Sequence, residues 1–376
     1  MIAQSMIVPT NESFAHLWNT MDSIEQGQSA ELSILYIGGS HVQAGWLGHG
    51  LRQAIADWIP HARTARGLML PYRMAHTNTP THFRTEFAGD WKGIRCTELA
   101  YLAEQPNASC GTGIVVQPQG SAWFQHVSYA PDSSHHLTSQ LTLWTNATLE
   151  EWNWEGSEPL TSCEPLPEKR GWRLHFASPA DTLAVSFASS ASEMRQSEPL
   201  WYGGASSSLK SSNANFVVHD WGHNGLRIRH AAGEMGWSAL VDDLKPDMVL
   251  IGIGLNDAMR GSNFDAAEFQ DSYLSLLEPL GDLAIVLLGN TPIQVEPERA
   301  LGNSRAIDTI LRDLAEREGC GFFSFTEALG GSTAWAACQS NGWLKSDGIH
   351  FTESGYMALS SILFKAWQSE FQAHRP

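Results

Sequence analysis

The sequence predicts an α/β fold in which a doubly wound, parallel, five-stranded sheet is interrupted by an inserted β-sandwich. In residues 1–71 and 213–376, short apolar segments alternate with amphipathic helical patterns, which is typical of a parallel sheet covered by helices. In residues 72–212, apolar and polar residues alternate along short segments, which is typical of antiparallel strands with one solvated face. We therefore predict one discontinuous α/β domain and one inserted, jelly-roll-like domain.

The N-terminal part predicts a helix, a strand and a second helix. Residues 12–25 have apolar residues at spacings of three and four, and Asn11 or Ser13 is suited to cap that helix. The segment ELSILYIG (31–38) predicts a buried strand followed by Gly39 and Ser40. Apolar residues then recur every four positions and predict a helix directly after the strand. These residues are Leu47, Leu51, Ile55 and Ile59.

Four further strands are predicted in the C-terminal part. They are 215–222 (NFVVHDWG), 247–254 (DMVLIGIG), 284–290 (AIVLLGN) and 321–325 (GFFSF). Helical patterns separate them at 237–244, 265–279 and 299–318, and a closing helix is predicted from Ser354. Strands that alternate with helices in this way complete the predicted parallel sheet.

Three segments show the alternating pattern of the insert most clearly. They are 123–129, with Trp123, Gln125, Val127 and Tyr129 on one face, 172–176, and 183–187. The Gly- and Ser-rich residues 203–215 predict a boundary loop. Most tryptophans of a sandwich belong to its core, but aromatic faces also stack on sugar rings. Trp152 and Trp154, in EEWNWEG, are the best candidates for exposed positions of that kind.

The charge and the apolar runs exclude several partners. With 40 acidic and 23 basic side chains, the formal net charge is −17, which argues against nucleic acid and anionic membrane surfaces. No apolar run approaches the ~18 residues that span a bilayer. The sequence contains no signal for an oligomeric state.

Neither a cofactor nor a metal is predicted. The five cysteines form no C-x-x-C pair, so zinc and dithiol redox sites are not expected. Cys320 with Cys338, or two of the first three, are able to form a bridge in an oxidising compartment, and nothing in the sequence requires one. Several histidines are scattered without ligand spacing, and His41 among them is expected to line a pocket. They are His41, His49, His61, His76 and His82, and the pair His135 and His136 is expected in a solvated loop.

The N-terminus leaves two cellular locations open. The first basic side chain is Arg52, so the given sequence lacks the positively charged start of a signal peptide. The protein is therefore cytoplasmic, or the chain begins after a removed leader. A removed leader would place the protein in the periplasm or the cell envelope.

Four short segments at or after predicted strands carry groups suited to catalysis. They are GGSH with Ser40, WGHNGLR with Gly225, GIGLND with Asn256, and SDGIHFTESGY with Asp347 and His350. The carboxyl ends of parallel strands meet at one edge of a sheet, and active sites of open α/β sheets lie there. We therefore expect these groups to converge.

The residue types in these segments suit acyl transfer. A serine hydroxyl is a poor nucleophile until a neighbouring histidine accepts its proton, and a carboxylate holds the imidazole in the required tautomer. Asp347 and His350 are three residues apart and face the same way in a loop or a single turn. Backbone N–H groups and an asparagine amide provide donors for an oxyanion.

These four segments, in this order, resemble the SGNH hydrolases, the GDSL-type esterase superfamily. The resemblance implies a serine esterase with Ser40, Asp347 and His350 as catalytic triad. It further implies an oxyanion hole formed by the N–H of Ser40, the N–H of Gly225 and the amide of Asn256. Within GHNG, Gly222 is the alternative to Gly225.

The segments that flank the insert resemble a particular subgroup. ARGLMLPYRMAHTNTP and EPLWYGGASSSL are similar to the junctions in peptidoglycan O-acetylesterases of bacteria, in which a carbohydrate-binding-module-like domain interrupts the hydrolase. The resemblance implies removal of O-acetyl groups from a glycan, with peptidoglycan as the expected substrate. The alternatives are an esterase that acts on lipid or plant polysaccharide esters, and a carbohydrate-binding protein without activity. Gly39 departs from the family pattern, because the family usually has Asp at this position. That aspartate supports the site without doing the chemistry, so its loss is expected to loosen the loop or lower the rate but removes no member of the triad. In the last alternative, Gly39 marks a hydrolase that has lost its activity.

Overall fold

The computed structural model describes residues 6–104, 110–129, 136–187, 199–209, 214–294 and 298–375. Strands in these ranges form three sheets. The strands are β1 (Met6–Ile7), β2 (Glu31–Gly38), β3 (Arg63–Ala65), β4 (Gly67–Met69), β5 (Phe83–Ala88), β6 (Trp91–Arg95), β7 (Ile114–Pro118), β8 (Ala122–Ser128), β9 (Thr138–Thr145), β10 (Trp152–Gly156), β11 (Leu160–Pro165), β12 (Gly171–Ala180), β13 (Thr182–Phe187), β14 (Tyr202–Ser208), β15 (Asn215–Gly222), β16 (Met248–Gly252), β17 (Ala284–Leu288) and β18 (Gly321–Phe323). The helices are α1 (Glu12–Glu25), α2 (Ser40–Gln43), α3 (Trp46–Trp58), α4 (Leu99–Glu104), α5 (Ile228–Ala232), α6 (Trp237–Leu244), α7 (Leu255–Ala258), α8 (Ala266–Leu277), α9 (Glu298–Glu318), α10 (Phe325–Ala328), α11 (Ala334–Ser340) and α12 (Glu353–His374).

The first sheet contains the predicted parallel strands, and the predicted fold class is confirmed. Its strand order is β1-β18-β17-β16-β2-β15-β3. The five central strands correspond to the five predicted ones, and they pair in parallel. The sheet has seven strands rather than five because β1 pairs antiparallel with β18 and β3 pairs in parallel with β15 at the two edges. These edge strands have two and three residues, which is too short to show a period.

Helices cover both faces of this sheet, so its strands are apolar on both sides. Along β2, Leu35 and Ile37 pack into the core on one face, whereas Ile34 and Tyr36 pack into the core on the other. β15 is buried along its whole length. The central strands are therefore rigid supports for the residues that follow them.

The caps of the first and last helices agree with the sequence pattern, but the helix after Ser40 does not continue. The Asn11 side chain accepts a hydrogen bond from Phe14 N–H at the start of α1, and Thr352 caps α12 in the same way. The segment after Ser40 breaks into α2 and α3 at Gly45, whose φ is 78°. A Cβ on Gly45 would lie 2.8 Å from Pro80 and from His82. Contact with the insert therefore breaks the predicted helix.

The other two sheets form the predicted sandwich and are antiparallel in their pairings. One has the order β10-β13-β8-β5, and the other has the order β11-β12-β9-β14-β7-β6 with β4 paired to β14. The buried faces of β12 and β13 are those that the alternating pattern predicts.

The buried face of β8 is opposite to the face that carries Trp123, Gln125 and Val127. Trp123, Gln125 and Val127 are only half-buried, while the alternate residues, including Phe124 and His126, are buried. The Phe124 ring stacks on Tyr202 with 4.3 Å between centroids. Both ring nitrogens of His126 have partners, Thr85 Oγ1 and Tyr202 Oη, each at 2.9 Å. Because its polar atoms are satisfied, a histidine occupies a core position that its polarity alone would not predict.

The prediction of exposed tryptophans in EEWNWEG is wrong for Trp152, which is 6% exposed and belongs to the core. Trp154 is half-buried, and its ring lies 5.4 Å from that of Phe176. The strand β10 pairs with β13, so its tryptophans are used for packing between the sheets.

The insert leaves and re-enters the α/β sheet at neighbouring strands. Strand β3, before the insert, lies beside β15, after it, and Arg63 N–H donates to Ala214 O at 3.0 Å. Arg66 follows β3 and donates to Asp220 Oδ2 at 2.9 Å, as does Arg52. All three charged side chains are almost completely buried. Loss of Asp220 would leave two buried guanidinium groups without their carboxylate partner, which is strongly destabilising.

The structure also bears on the cysteines, the histidine pair and membrane association. All five cysteines are free thiols. His135 of the predicted solvated pair lies outside the described residues. None of the helices in the described ranges is long and apolar enough to cross a bilayer.

Candidate active site

Ser40 lies where β2 ends at the carboxyl edge of the central sheet, as the first residue of α2. Its Oγ lies 2.9 Å from Nε2 of His350. The chain approaches this point through Gly38 and Gly39, and a Cβ on Gly38 would lie 2.4 Å from the Val42 side chain. Because Gly38 has no side chain, the chain is able to make the tight turn that presents the Ser40 hydroxyl.

Asp347 and His350 lie on the loop before α12, and they contact each other directly. Asp347 Oδ2 lies 2.7 Å from His350 Nδ1, and its Oδ1 accepts the N–H groups of Ile349 and His350, each at 2.9 Å. Partial burial acts to raise the pKa of Asp347, but the hydrogen bonds from His350 and Ile349 outweigh it and lower that pKa to about 2. An ionised Asp347 accepts a hydrogen bond from the Nδ1–H of His350, so the Nε2 lone pair faces Ser40 Oγ.

His41 and Tyr356 support His350 from one side. The ring centroids of His41 and His350 are 5.4 Å apart, and His41 Nδ1 lies 2.9 Å from Tyr356 Oη. Burial, followed by the charge of His350, lowers the pKa of His41 to about 3, so His41 is neutral near pH 7. The sequence indicates His41 as a pocket residue, whereas Tyr356, in the first turns of α12, is missed because it lies on an ordinary helical face.

The segment WGHNGLR places its two glycines differently. Gly222 is the last residue of β15, its carbonyl accepts the Tyr72 hydroxyl at 2.6 Å, and a Cβ on it would lie 2.1 Å from Gln43 N. Gly225 is exposed with a φ of 77°, and within the described residues its N–H has no acceptor. Gly222 therefore serves close packing, and Gly225 provides a free donor.

Asn256 lies in the first turn of α7, directly beside the Gly39–Ser40 turn. A Cβ on Gly39 would lie 3.2 Å from Asn256 Nδ2, and Nδ2 donates to Leu226 O at 3.0 Å. That bond uses one of the two amide protons, so the other is available to a ligand. The neighbouring Asp257 is buried and accepts Ile228 N–H at 3.1 Å, and burial raises its pKa to about 6.

Gln43 connects three segments around Ser40, and sequence reasoning did not identify it. Its Nε2 donates to Thr77 Oγ1 at 3.0 Å and to Asn78 O at 2.7 Å, while its Oε1 accepts Asn224 N–H. Asn224 Nδ2 also donates to Thr77 Oγ1 at 3.1 Å. These bonds fix the loop that carries Gly225 against α2 and against the start of the insert.

The sandwich braces the same loop through buried aromatic residues. Trp221 Nε1 donates to Gly111 O at 2.9 Å, and His223 Nε2 lies 3.1 Å from Thr112 O. A Cβ on Gly113 would lie 2.6 Å from the Trp221 ring and 2.7 Å from His223 Nε2. The insert is therefore in tight contact with the segment that leads to Gly225.

The structure thus brings all five sequence-predicted site residues to one edge of the sheet. Ser40, His350 and Asp347 form a continuous hydrogen-bonded chain, and Asn256 and Gly225 provide N–H groups on the nucleophile side. A hydroxyl, an imidazole oriented by a carboxylate, and free N–H donors are the parts that acyl transfer requires.

Comparison with known proteins agrees with this geometry. Residues 190–358 match the model of the GDSL-like lipase/acylhydrolase family, a range that contains Gly225, Asn256, Asp347 and His350. No curated protein matches the sequence. A solved structure of a peptidoglycan O-acetylesterase is similar over 98% of this chain and 99% of that chain, with 16% identity and a TM-score of 0.71.

Two further solved structures are similar to part of this chain. The lipase/acylhydrolase from Enterococcus faecalis covers 41% of this chain and 77% of its own, with 20% identity and a TM-score of 0.35. The family 3 carbohydrate esterase from Clostridium thermocellum covers 46% of this chain and 77% of its own, with 20% identity and a TM-score of 0.33. The full-length likeness shows that the hydrolase and its insert together form a known fold. Residues 190–358 therefore resemble the GDSL-like lipases/acylhydrolases, and this match, together with the fold, supports an SGNH-type carboxylic ester hydrolase.

Proposed function

We propose that this hydrolase is a serine esterase that removes O-acetyl groups from a carbohydrate, with peptidoglycan as the substrate. The observation that carries the proposal is the hydrogen-bonded chain from Ser40 Oγ through His350 to Asp347. The choice of substrate is supported by the peptidoglycan O-acetylesterase that shares the fold over the full length of both chains. A peptidoglycan substrate would place the enzyme in the periplasm or the cell envelope.

The first half of the reaction forms an acyl-enzyme. Ser40 Oγ attacks the ester carbonyl while its proton moves to His350 Nε2, and ionised Asp347 stabilises the resulting imidazolium. The carbonyl oxygen becomes an oxyanion, which accepts hydrogen bonds from the N–H groups of Ser40 and Gly225 and from the Asn256 amide. Each donor of this kind typically contributes roughly 10²–10³ in rate. When the tetrahedral intermediate collapses, His350 returns the proton to the departing sugar oxygen.

The second half releases acetate. Water takes the place of the sugar, His350 accepts one of its protons, and the hydroxide attacks the acetyl carbonyl on Ser40. The same donors hold the second oxyanion. Collapse breaks the bond to Ser40 Oγ, which regains its proton from His350. Each proton transfer uses a group of this chain.

Gly39 does not disturb the proposed machinery. The family usually has Asp at this position, but here a Cβ would already lie 3.2 Å from Asn256 Nδ2, which is a tight contact. Glycine leaves the Asn256 amide room beside Ser40. The hydroxyl, the imidazole and the carboxylate are all in place, so we expect activity despite this departure.

Acetate release by the wild type and by Ser40→Ala tests the proposal. We expect the wild type to hydrolyse p-nitrophenyl acetate and to release acetate from O-acetylated peptidoglycan, and Ser40→Ala to lose at least roughly 10⁴ in kcat/KM. Equal rates for the two proteins would rule out Ser40 as the nucleophile.

A panel of substrates separates the alternatives. Preference for acetylated xylan, or for longer acyl chains over acetyl, would assign the enzyme to plant polysaccharide or lipid esters. Retention of glycans with no turnover would instead indicate a binding protein that has lost its activity.

A further inference from the structure

We propose that a cavity beside the Asp347–His350 loop is a subsite for a second sugar ring of the glycan whose acetyl ester is cleaved; this rests on the proposed function. The cavity has a volume of about 800 Å³. It is formed by the segment after β17 (Thr291 to Gln294), by α9, and by α11 with Trp335. We refer to it as the side cavity.

One wall of the side cavity touches the loop that carries the proposed base. Gln294 N–H donates to Gly348 O at 3.3 Å, and Gly348 lies between Asp347 and His350 in the sequence. A Cβ on Gly348 would lie 2.7 Å from Gln294 O, so the two segments are in direct contact. A ligand in the side cavity is therefore close to the proposed catalytic residues.

A second wall touches the segment that leads to Asn256. Asn290 follows β17 by two residues. Its N–H donates to Asp308 Oδ1 at 2.9 Å, and its Nδ2 donates to Ser304 Oγ at 3.1 Å. Its Oδ1 lies 3.1 Å from the position of a Cβ on Gly254, the residue that precedes α7. Because Ser304 and Asp308 line the side cavity, it lies alongside both the oxyanion segment and the base segment.

The lining of the side cavity combines apolar surface with several polar groups, as a site for a sugar ring requires. Trp335 offers an aromatic surface for the apolar face of a sugar. Arg305 is exposed and makes no ion pair within the described residues, so its donors are free for hydroxyl groups. Thr291 is 7% exposed, and neither its Oγ1 nor Trp335 Nε1 has a partner among the described residues. Pro292, Ile293 and Leu301 supply apolar surface beside these polar groups, so a long acyl chain is the competing occupant that the test below separates.

The charges of the side cavity also fit a saccharide. Arg305 provides donors only, and Asp308 provides a carboxylate. Sugar hydroxyl groups both donate and accept, so they are able to satisfy both side chains at once. The cavity therefore matches the chemistry of a neutral sugar ring with several hydroxyl groups.

The test compares substrates of increasing length in three variants. We expect Arg305→Gln and Trp335→Ala to raise KM for O-acetylated oligosaccharides roughly three- to tenfold, as loss of one hydrogen bond or one stacking contact predicts. We expect a far smaller change in KM for p-nitrophenyl acetate, which has no second sugar ring. Lys365→Gln, which removes one exposed positive charge on α12, is the matched control. Arg305 is exposed, so its variant keeps the fold even if Trp335→Ala does not.

The outcomes are distinct. Oligosaccharide KM values equal to those of the wild type in Arg305→Gln would overturn the subsite while acetate release continued. A KM change confined to p-nitrophenyl esters of long acyl chains would also overturn it and would make the cavity an acyl pocket. Failure of the proposed function gives a different result, since the wild type would then release no acetate from any carbohydrate.

Discussion

The two sides of the site are built in different ways. On the nucleophile side, Ser40, Gly225 and Asn256 follow three central strands, and Gln43 ties the segments of Ser40 and Gly225 to Thr77 of the insert. On the base side, Asp347 and His350 lie on one short loop, with 46% and 35% of their side chains exposed. The position of the donors therefore depends on the whole fold, whereas the orientation of the imidazole depends on a few neighbouring residues.

The carboxyl groups of the two sides also differ in how their surroundings shift their pKa values. Burial raises the pKa of Asp257, next to Asn256, to about 6. On the exposed side, hydrogen bonds from the loop backbone and from the imidazole lower the pKa of Asp347 to about 2 despite partial burial. Only Asp347 is thus fully ionised over the range in which an esterase works, which is the state that an imidazolium partner requires.

The largest effect is expected on the base side, from Asp347→Asn. An amide in place of the carboxylate no longer stabilises the imidazolium or specifies the tautomer, so kcat should fall by roughly 10³–10⁴. The melting temperature should change little, because the pair is exposed. Measured kcat for p-nitrophenyl acetate, together with the thermal unfolding curve, checks both statements. A loss below tenfold would show that Asp347 does not orient the base.

A smaller effect is expected on the nucleophile side, from Thr77→Val. The substitution keeps the shape of the side chain but removes the hydroxyl that accepts from Gln43 and Asn224. The loop that carries Gly225 then loses part of its brace, and kcat should fall about three- to tenfold, since one net hydrogen bond contributes about 1 kcal/mol. Thr77→Ser restores the hydroxyl and should recover the rate. If Thr77→Ser is as slow as Thr77→Val, the hydroxyl is not the cause.

An effect on stability rather than on rate is expected from Asp257→Asn, in the pH dependence of unfolding. The pKa of Asp257 in the folded protein, about 6, is above its usual 3.8, so the folded state binds the proton more tightly than the unfolded state does. The contribution of Asp257 to the free energy of unfolding is therefore fully present below pH ~4 and is lost as the pH rises to ~6. As the pH rises through this window, the free energy of unfolding of Asp257→Asn should increase relative to that of the wild type by on the order of 1–3 kcal/mol.

Denaturant unfolding at pH 4.5 and at pH 7 checks the prediction for Asp257. Asp347→Asn is the matched control, because the usual and the folded pKa of Asp347, 3.8 and about 2, both lie below the window. A parallel change in the two variants would contradict the assignment of the effect to burial of Asp257.

The sequence predicts the parallel sheet and the residues of the site because both depend on strong local patterns. Each central strand is a continuous apolar run, and Ser40, Gly225 and Asn256 lie in short segments after such runs, whereas Asp347 and His350 lie in a short motif on the loop before α12. The topology of a parallel sheet then brings these segments together. The catalytic role of each residue stays a prediction that the kinetics above test.

The features that the sequence does not predict depend on contacts between distant segments. Gln43 meets Thr77 and Asn224 only in the folded chain, and no local pattern marks it. The break at Gly45 arises from contact with Pro80 and His82. The buried position of His126 in β8 depends on partners from β5 and β14. Tertiary contacts override the local pattern in each case.

The position of the insert affects how the chain folds during synthesis. Strand β2, which ends next to Ser40, pairs with β15 and β16, and both are translated after the whole sandwich. At a translation rate of ~5–20 residues per second, the apolar strand β2 is without these two partner strands for on the order of ten seconds during synthesis. Substitutions that slow folding of the sandwich should therefore lower the yield of soluble enzyme while the molecules that do mature keep full specific activity.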